Sequence, residues 1–152
     1  MAMNKALIGK TYPETRVYEV GREKIREFAI AVGEDNPICH DEAAAKAAGH
    51  PDLVAPPTFA VVMGTLYAAP AIGDPDLGIN YAMIVHGEQE FELARPIYAG
   101  DRIVIRPRIA DIAVKGRNEL ITVEGEMVSE QGERIGVAKM TLVSRGTAEE
   151  GA

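Results

Sequence analysis

The sequence predicts an α+β domain in which a curved antiparallel sheet wraps around one buried helix. In the segment from 58 to 69 almost every side chain is apolar or small. A helix that is apolar nearly all round must be covered on all sides. Four strand-like segments follow this helix, with hairpin turns between them. A sheet that curls around the helix would provide that cover.

The chain before the buried helix predicts a strand and a helix. Residues 15–20 alternate polar and apolar side chains, as a half-buried strand does. Gly21 interrupts this alternation, and residues 22–32 then place apolar side chains at helical spacing. We expect this helix to end near Gly33.

A loop and a short helix lead to the buried helix. Residues 33–40 have the composition of a loop, and Asn36-Pro37 is a turn signal because proline disfavours helix in the preceding residue. Asp41 can cap an alanine-rich helix that runs to Ala48. Pro57 suits the first turn of the buried helix, where the missing amide hydrogen costs nothing.

The strands of the predicted sheet lie in the second half of the chain. Residues 70–80 are rich in glycine, proline and aspartate and are expected to form a loop. The strand segments after this loop are 83–93, 103–109, 119–128 and 135–143. Hairpin turns are predicted at 116–118 and 130–133, and Pro107 implies an edge strand or a bulge. This order of elements is that of the hot-dog fold.

Composition and charge narrow the classes of protein to which the chain can belong. Its 152 residues predict a single domain over 1–146 and a frayed polar tail over 147–152. The formal net charge of −7, with scattered cations, disfavours binding to nucleic acid or anionic lipid. No signal-peptide core and no run of about 18 apolar residues is present, so we expect a cytoplasmic protein.

Disulfides, metal sites and cofactors are not expected. Cys39 is the only cysteine, so no internal disulfide can form. Three histidines without a cysteine pair make a metal site improbable. No nucleotide or flavin motif is present, so no cofactor is expected.

Four stretches of the sequence, in order, resemble the MaoC-like hydratases and dehydratases. They are Gly33-Glu34-Asp35-Asn36-Pro37-Ile38-Cys39-His40, Ala55-Pro56-Pro57-Thr58-Phe59, His86-Gly87-Glu88-Gln89-Glu90-Phe91 and Arg95-Pro96-Ile97-Tyr98-Ala99-Gly100-Asp101. The second and third are similar to the N-terminal dehydratase subtype, which includes the mycolic-acid dehydratase subunits of actinobacteria and short homologues of this length. The resemblance spans most of the chain and implies the hot-dog fold.

The resemblance also implies a reaction in fatty acid metabolism. Family members add water to the double bond of a 2-enoyl thioester, or remove it from an (R)-3-hydroxyacyl thioester. The acyl group is carried on coenzyme A or on acyl carrier protein. We further expect a dimer, because the exposed edge of one hot-dog sheet can pair with an identical or a related subunit.

The family's catalytic motif, Gly-Asp-x-Asn-Pro-Leu-His, fits this sequence in two registers. If Asn36 takes the place of the motif's Asn, then Glu34 is at the acid position and Cys39 is at the histidine position. If Asp35 is the acid instead, His40 follows at the family's spacing but Asn-Pro is displaced by one residue. A misplacement of about 1 Å can cost roughly 100-fold in rate.

The enzymatic interpretation assigns acid–base catalysis to Asp35 and His40, with Asn36 and Glu34 in support. A carboxylate beside a histidine raises the pKa of the imidazole and orients its ring. The alternative is structural: Asp35 caps a turn, and His40 is an exposed loop residue.

The oxyanion donor is expected among the first amides of the buried helix. Thr58 and Phe59 are the candidates, because Pro57 has no amide hydrogen and the helix dipole favours developing negative charge there. Plain helix initiation is the alternative.

Other residues are candidates for contacts with the rest of the substrate. Met63 and Tyr67, with Leu66, could line an apolar slot for the acyl chain, although core packing is the default for each. In the strand after the helix, Gly87 would let a ligand approach, and His86 is either a contact or an ordinary strand histidine.

Three functions remain open from the sequence. The first is an (R)-specific hydratase or dehydratase. The second is a non-catalytic acyl-binding subunit whose related partner supplies the catalytic pair. The third is a thioesterase of the same fold, which the Asn-Pro and Pro-Pro-Thr-Phe elements disfavour.

Overall fold

The computed structural model describes residues 2–148. Its helices are α1 (Arg22–Val32), α2 (Glu42–Ala47) and α3 (Gly64–Ile72). Its strands are β1 (Tyr18–Glu19), β2 (Ile84–Leu93), β3 (Arg102–Lys115), β4 (Asn118–Ser129) and β5 (Arg134–Ser144). Short 3-10 helices precede or join these elements at Lys5–Leu7, Pro37–Cys39, Phe59–Met63 and Tyr81–Met83. Residues 149–152 of the predicted tail lie outside the described part.

The five strands form one antiparallel sheet in the order β1-β3-β4-β5-β2. The sheet curls around the helix predicted to be buried, and Phe59, Met63 and Tyr67 of that helix are fully buried. The sheet and this helix pack tightly at Gly125 of β4, where an added Cβ atom would lie 2.8 Å from the Tyr67 ring. The predicted architecture is therefore confirmed. No helix within residues 2–148 has the length and apolarity required to cross a bilayer.

The buried helix differs in its bounds from the prediction. It begins as a 3-10 helix at Phe59, because the Phe59 amide donates to Pro56 and the Val61 amide to Thr58, each three residues back. It then continues as α3 through Pro70 to Ile72, beyond the predicted end at residue 69. Ala71 is fully buried there, and this burial favours the extra turn despite the hydrogen bond that Pro70 cannot donate.

Two other predictions are settled near the first strand. The strand expected over 15–20 is wrong in length, since β1 spans only Tyr18–Glu19, which pairs with Ile103 and Arg102. Outside β1, the Thr15 and Val20 amides still donate to the carbonyls of Ile105 and Asp101. Pro107 lies in neither of the places that the sequence predicts, because β3 runs between β1 and β4 and the bulge comes after this residue. Its carbonyl accepts from the Tyr12 amide at 2.9 Å, so its ring nitrogen faces away from β4 and no ladder bond is lost. A bulge follows between Ile109 and Asp111.

The end of α1 and the cap of α2 lie where the sequence predicts them. Gly33 ends α1 in the left-handed region with φ of 73°. The Asp41 carboxylate caps α2 by accepting from the Ala43 and Ala44 amides.

Asp74, which lies just after the C-terminal end of α3, binds two side chains of the N-terminal segment. Its carboxylate is 4% exposed, accepts from the Lys10 ammonium at 2.5 Å and accepts from the Tyr12 hydroxyl at 2.7 Å. Lys10 foremost, then Tyr12, lowers the pKa of Asp74 to about 2.

Candidate functional site

A cleft of about 490 Å³ lies where the loop after α1 meets the leading turn of the buried helix. Three segments form its walls: the Asn-Pro loop, the Pro-Pro turn and the end of β2. The lining residues are Glu34, Asn36, Ile38, Cys39, Val54, Ala55, Pro56, Pro57, Leu93, Ala94, Arg95 and Pro96. Three of the four stretches that carry the family resemblance therefore meet at this cleft.

The Asn-Pro loop holds its own shape through short hydrogen bonds. The Glu34 carboxylate accepts from the Asn36 amide at 2.9 Å, and the Asn36 side-chain oxygen accepts from the Ile38 amide at 3.2 Å. This arrangement starts the 3-10 turn Pro37–Cys39 and directs Glu34, Asn36 and Cys39 toward the cleft.

His40 is half-buried, and it forms hydrogen bonds with its own loop and with α1. Its Nε2 atom lies 2.6 Å from the Glu34 carbonyl oxygen, and its own carbonyl accepts from Arg26 Nε at 2.9 Å. A carbonyl oxygen can only accept, so Nε2 carries the proton in this contact. Asp35 is exposed, and neither it nor His40 is among the residues that line the cleft.

Cys39 faces the cleft at the position where the family motif has histidine. The side chain is 4% exposed. Burial, and secondarily the charge of Glu34, raises the pKa of the Cys39 thiol. The group therefore stays a neutral thiol at neutral pH, in which form it is neither a strong base nor a strong nucleophile.

The Pro-Pro turn presents one amide of the predicted pair. The Phe59 amide donates to the Pro56 carbonyl at 2.9 Å, so it is committed to the turn. The Thr58 amide makes no hydrogen bond within residues 2–148. Neither Thr58 nor Phe59 lines the cleft, but of these two candidate oxyanion donors only Thr58 has an amide that is free within the described residues.

Arg95 stiffens the wall opposite the loop, a role that the sequence did not reveal. It donates to both Asp101 carboxylate oxygens, at 2.8 and 3.0 Å, and its Nε lies 3.0 Å from Glu133. Asp101 also accepts from the Tyr98 amide at 2.8 Å. Asp101, foremost, raises the pKa of Arg95. The sequence signal is only that Arg95 and Asp101 are the two ends of one stretch that carries the family resemblance.

This Arg95–Asp101 unit supports the Pro-Pro turn through a short backbone ladder. The Ala55 amide donates to the Ile97 carbonyl at 2.8 Å, and the Ala99 amide donates to the Leu53 carbonyl at 3.0 Å. Residues 53–55, which lead into Pro56, are therefore held by residues 97–99, which lie between the ion-paired Arg95 and Asp101.

The two faces of α3 differ in what they offer an acyl chain. Met63 and Tyr67 are fully buried in the core. The opposite face lines a separate apolar groove of about 340 Å³, formed by Gly64, Thr65, Ala68, Ala69, Ile72, Gly73, Tyr81, Met140 and Leu142. The Tyr81 hydroxyl donates to the Ile72 carbonyl at 2.8 Å at this groove.

His86 and Gly87 lie away from the cleft, on the exposed strand β2. An added Cβ atom at Gly87 would lie 2.8 Å from a Val143 methyl group, so packing against β5 already accounts for this glycine. His86 is exposed beside a register shift between β2 and β5.

Residues 6–138 match the family model described as the FAS1-like dehydratase domain region. This chain belongs to the FAS1-like dehydratase family. A relative of this family member, the UPF0336 protein of Saccharopolyspora erythraea, is 48% identical over 150 residues, which cover 99% of this chain and 96% of the relative.

Solved structures of dehydratases share the fold of this FAS1-like domain. The HadBC (3R-hydroxyacyl-ACP dehydratase) complex from Mycobacterium tuberculosis contains a similar chain, with 30% identity and a TM-score of 0.79, over 90% of this chain and 96% of that one. A MaoC-like dehydratase matches with 33% identity and a TM-score of 0.82, over 93% of this chain and 43% of that one. The resemblance to MaoC-like dehydratases and the hot-dog fold are confirmed.

Proposed function

We propose that this chain acts in the (R)-specific hydration and dehydration of 2-enoyl and 3-hydroxyacyl thioesters, as the acyl-binding subunit of a two-subunit dehydratase. The membership in a dehydratase family supports the reaction class. The HadBC complex, a 3R-hydroxyacyl-ACP dehydratase, supports both the thioester substrate and a related partner subunit.

The observation that carries the subunit assignment is the chemistry of the cleft wall. Elimination of water needs a base at the α-carbon and an acid for the leaving hydroxyl. The cleft presents a neutral Cys39 thiol at the motif's histidine position, while the His40 Nε2 atom is held by the Glu34 carbonyl. The partner subunit therefore supplies the acid–base pair.

Catalysis within this chain is the second candidate, and the carboxylate of Glu34 favours it. Glu34 and Asn36 line the cleft together, as acid and amide of the family motif would. In this version the Glu34 carboxylate takes the α-proton and then gives it to the leaving hydroxyl, which departs as water, while the Thr58 amide donates a hydrogen bond to the thioester oxygen as negative charge develops there. Asp35 and His40, the pair that the sequence predicts, do not line the cleft.

The edge of the sheet provides the surface for the partner in this proposal. Within the described residues β2 pairs only with β5, so its other edge is open there, and Val85 on it is 38% exposed. An open edge strand is a template for pairing with a second sheet.

The test of acyl binding is a titration of the purified chain with a saturated acyl-CoA, which cannot be hydrated. We expect saturable binding that Ala94→Trp abolishes, because Ala94 is exposed and lines the cleft. The matched control is Ala43→Trp on the exposed side of α2, which should bind as the wild type does. Equal loss in both variants, or no binding by the wild type, would overturn the proposal.

A further inference from the structure

The cationic groups beside the cleft are all engaged with acidic residues. Arg95 of the cleft wall forms salt bridges with Asp101 and Glu133. On α1, Arg22 contacts Asp52 and Glu42, and Arg26 contacts Glu23. The loop adds two negative charges, Glu34 in the wall and Asp35 exposed next to it. This rim does not favour the phosphate groups that a carrier arm would bring.

Two arginines at the other end of β2 have a different environment. Arg117 and Arg145 are exposed and line one shallow recess of about 470 Å³ with Met83, Asn118 and Gly146. Within residues 2–148 neither guanidinium makes a salt bridge. Glu119, the neighbouring acid, is 2% exposed and accepts from the Met3 amide and the Thr147 hydroxyl, so its charge is turned inward.

The backbone fixes the recess at the start of β2. The Arg145 amide donates to the Met83 carbonyl at 3.0 Å, directly before Ile84 begins the strand. The Gly146 amide donates to the Asn118 side chain at 3.0 Å, which joins the end of β5 to the β3–β4 hairpin. The Arg117 carbonyl accepts from the Ala148 amide at 3.2 Å, so both arginines stand on hydrogen-bonded backbone.

The recess and the cleft lie at opposite ends of the same open strand. Met83 of the recess precedes β2, and Leu93 of the cleft ends it. Two sheets joined through this edge around a two-fold axis run their β2 strands antiparallel. Such pairing places the recess of one subunit beside the cleft of the other.

We propose that Arg117 and Arg145 bind the phosphate of the carrier arm whose acyl thioester occupies the cleft of the partner subunit. This inference rests on the proposed function and on pairing through β2. Guanidinium groups suit phosphate because their planar donors bind its oxygens in pairs. The chain would thus complete a neighbour's site, and where the neighbour is a second copy of this chain, each copy would bring to the other the cations that its own cleft lacks.

The test compares three crotonyl thioesters that differ only in the arm: N-acetylcysteamine, which is neutral, phosphopantetheine, and coenzyme A. The assay uses the oligomer in which the full chain is purified. We expect Arg117→Ala with Arg145→Ala to weaken binding of the two phosphate-bearing thioesters about 10-fold or more, since a hydrogen bond to a charged group contributes ~1.5–3 kcal/mol. Binding of the neutral thioester should not change.

Arg16→Ala is the matched control, because Arg16 is also exposed and makes no salt bridge within the described residues. Equal weakening by the control would indicate net charge alone and would overturn the site. So would unchanged binding in the double variant. A loss confined to coenzyme A would assign the site to the nucleotide end of that carrier, and a loss shared with phosphopantetheine would assign it to the arm phosphate.

Coenzyme A without an acyl group separates the two proposals. If it binds and the double variant loses it while no acyl thioester binds more tightly, the phosphate site stands and the acyl-binding function fails. If acyl thioesters bind but the double variant behaves as the wild type, the function stands and the phosphate site fails.

Discussion

The His40 imidazole donates from Nε2 to the Glu34 carbonyl oxygen across a distance of 2.6 Å. This bond closes the Asn-Pro loop on itself and fixes the backbone from which the Glu34 side chain enters the cleft. A histidine whose Nε2 proton is committed in this way positions the loop and is not free to take a proton at that atom.

His40→Ala is therefore expected to loosen the loop. The free energy of unfolding should fall by about 1 kcal/mol, the usual size of one such hydrogen bond, and acyl thioester binding should weaken with it. Asp35→Ala is the comparison, because Asp35 is exposed, and it should leave both quantities unchanged. Urea unfolding and the acyl-CoA titration measure the two effects. A large effect of Asp35→Ala on hydration by this chain would restore the predicted Asp35–His40 pair.

Arg95→Lys should destabilise the cleft wall. Lysine cannot reproduce the two-pronged contact with Asp101, whose carboxylate is only 15% exposed. We expect a loss of about 1–3 kcal/mol in unfolding free energy and weaker thioester binding, because the ladder that holds Ala55 is released. Arg102→Lys, in an exposed cluster with Glu19 and Glu130, should cost less than about 1 kcal/mol. Equal losses would remove Arg95 from its supporting role.

Acid should weaken the attachment of the N-terminal segment. The pKa of Asp74 is about 2 in the folded chain and 3.8 in its unperturbed state, so the unfolded state binds the proton first. Stability from this group is complete above about pH 4 and is lost as the pH falls toward 2. Asp74→Asn should lower stability at pH 7 and flatten this part of the pH dependence. An identical acid transition in the variant would exclude Asp74 as its source.

The groove on the open face of α3 should set the preference for acyl chain length. Each buried methylene contributes ~0.8 kcal/mol, so affinity should rise about 4-fold per carbon until the groove is full. Ala69→Trp, on an exposed groove residue, should remove this gain and spare crotonyl thioesters. Ala47→Trp on α2 is the control. The measurement is the affinity of each variant for acyl thioesters of increasing chain length. An unchanged gain in affinity per carbon in Ala69→Trp would place the alkyl chain elsewhere.

Local patterns predicted the fold because each element has a short-range cause. The spacing of Ile25 and Ala29 gave α1 its buried face, Asp41 capped α2, and the apolar segment after Pro57 required a sheet around it. The end of α3 was missed because the burial of Ala71 depends on the sheet and outweighs the local signal of Pro70.

The site was harder to predict because it depends on contacts between distant segments. The family resemblance identified Glu34, Asn36 and the Pro-Pro turn as parts of the site, and the structure brings them together. Sequence alone did not show that Arg95 would form a salt bridge with Asp101, or that the His40 ring would form a hydrogen bond with the Glu34 carbonyl. Both follow from three-dimensional partners that no periodicity encodes.

The most direct measurement is the hydration of crotonyl-CoA by the purified chain alone, followed beside the binding of a saturated acyl-CoA. We predict saturable binding without hydration above the buffer rate, because the proposed function assigns the acid–base pair to the partner. Hydration by the chain alone that disappears in His40→Ala would contradict this account and make the chain itself the enzyme.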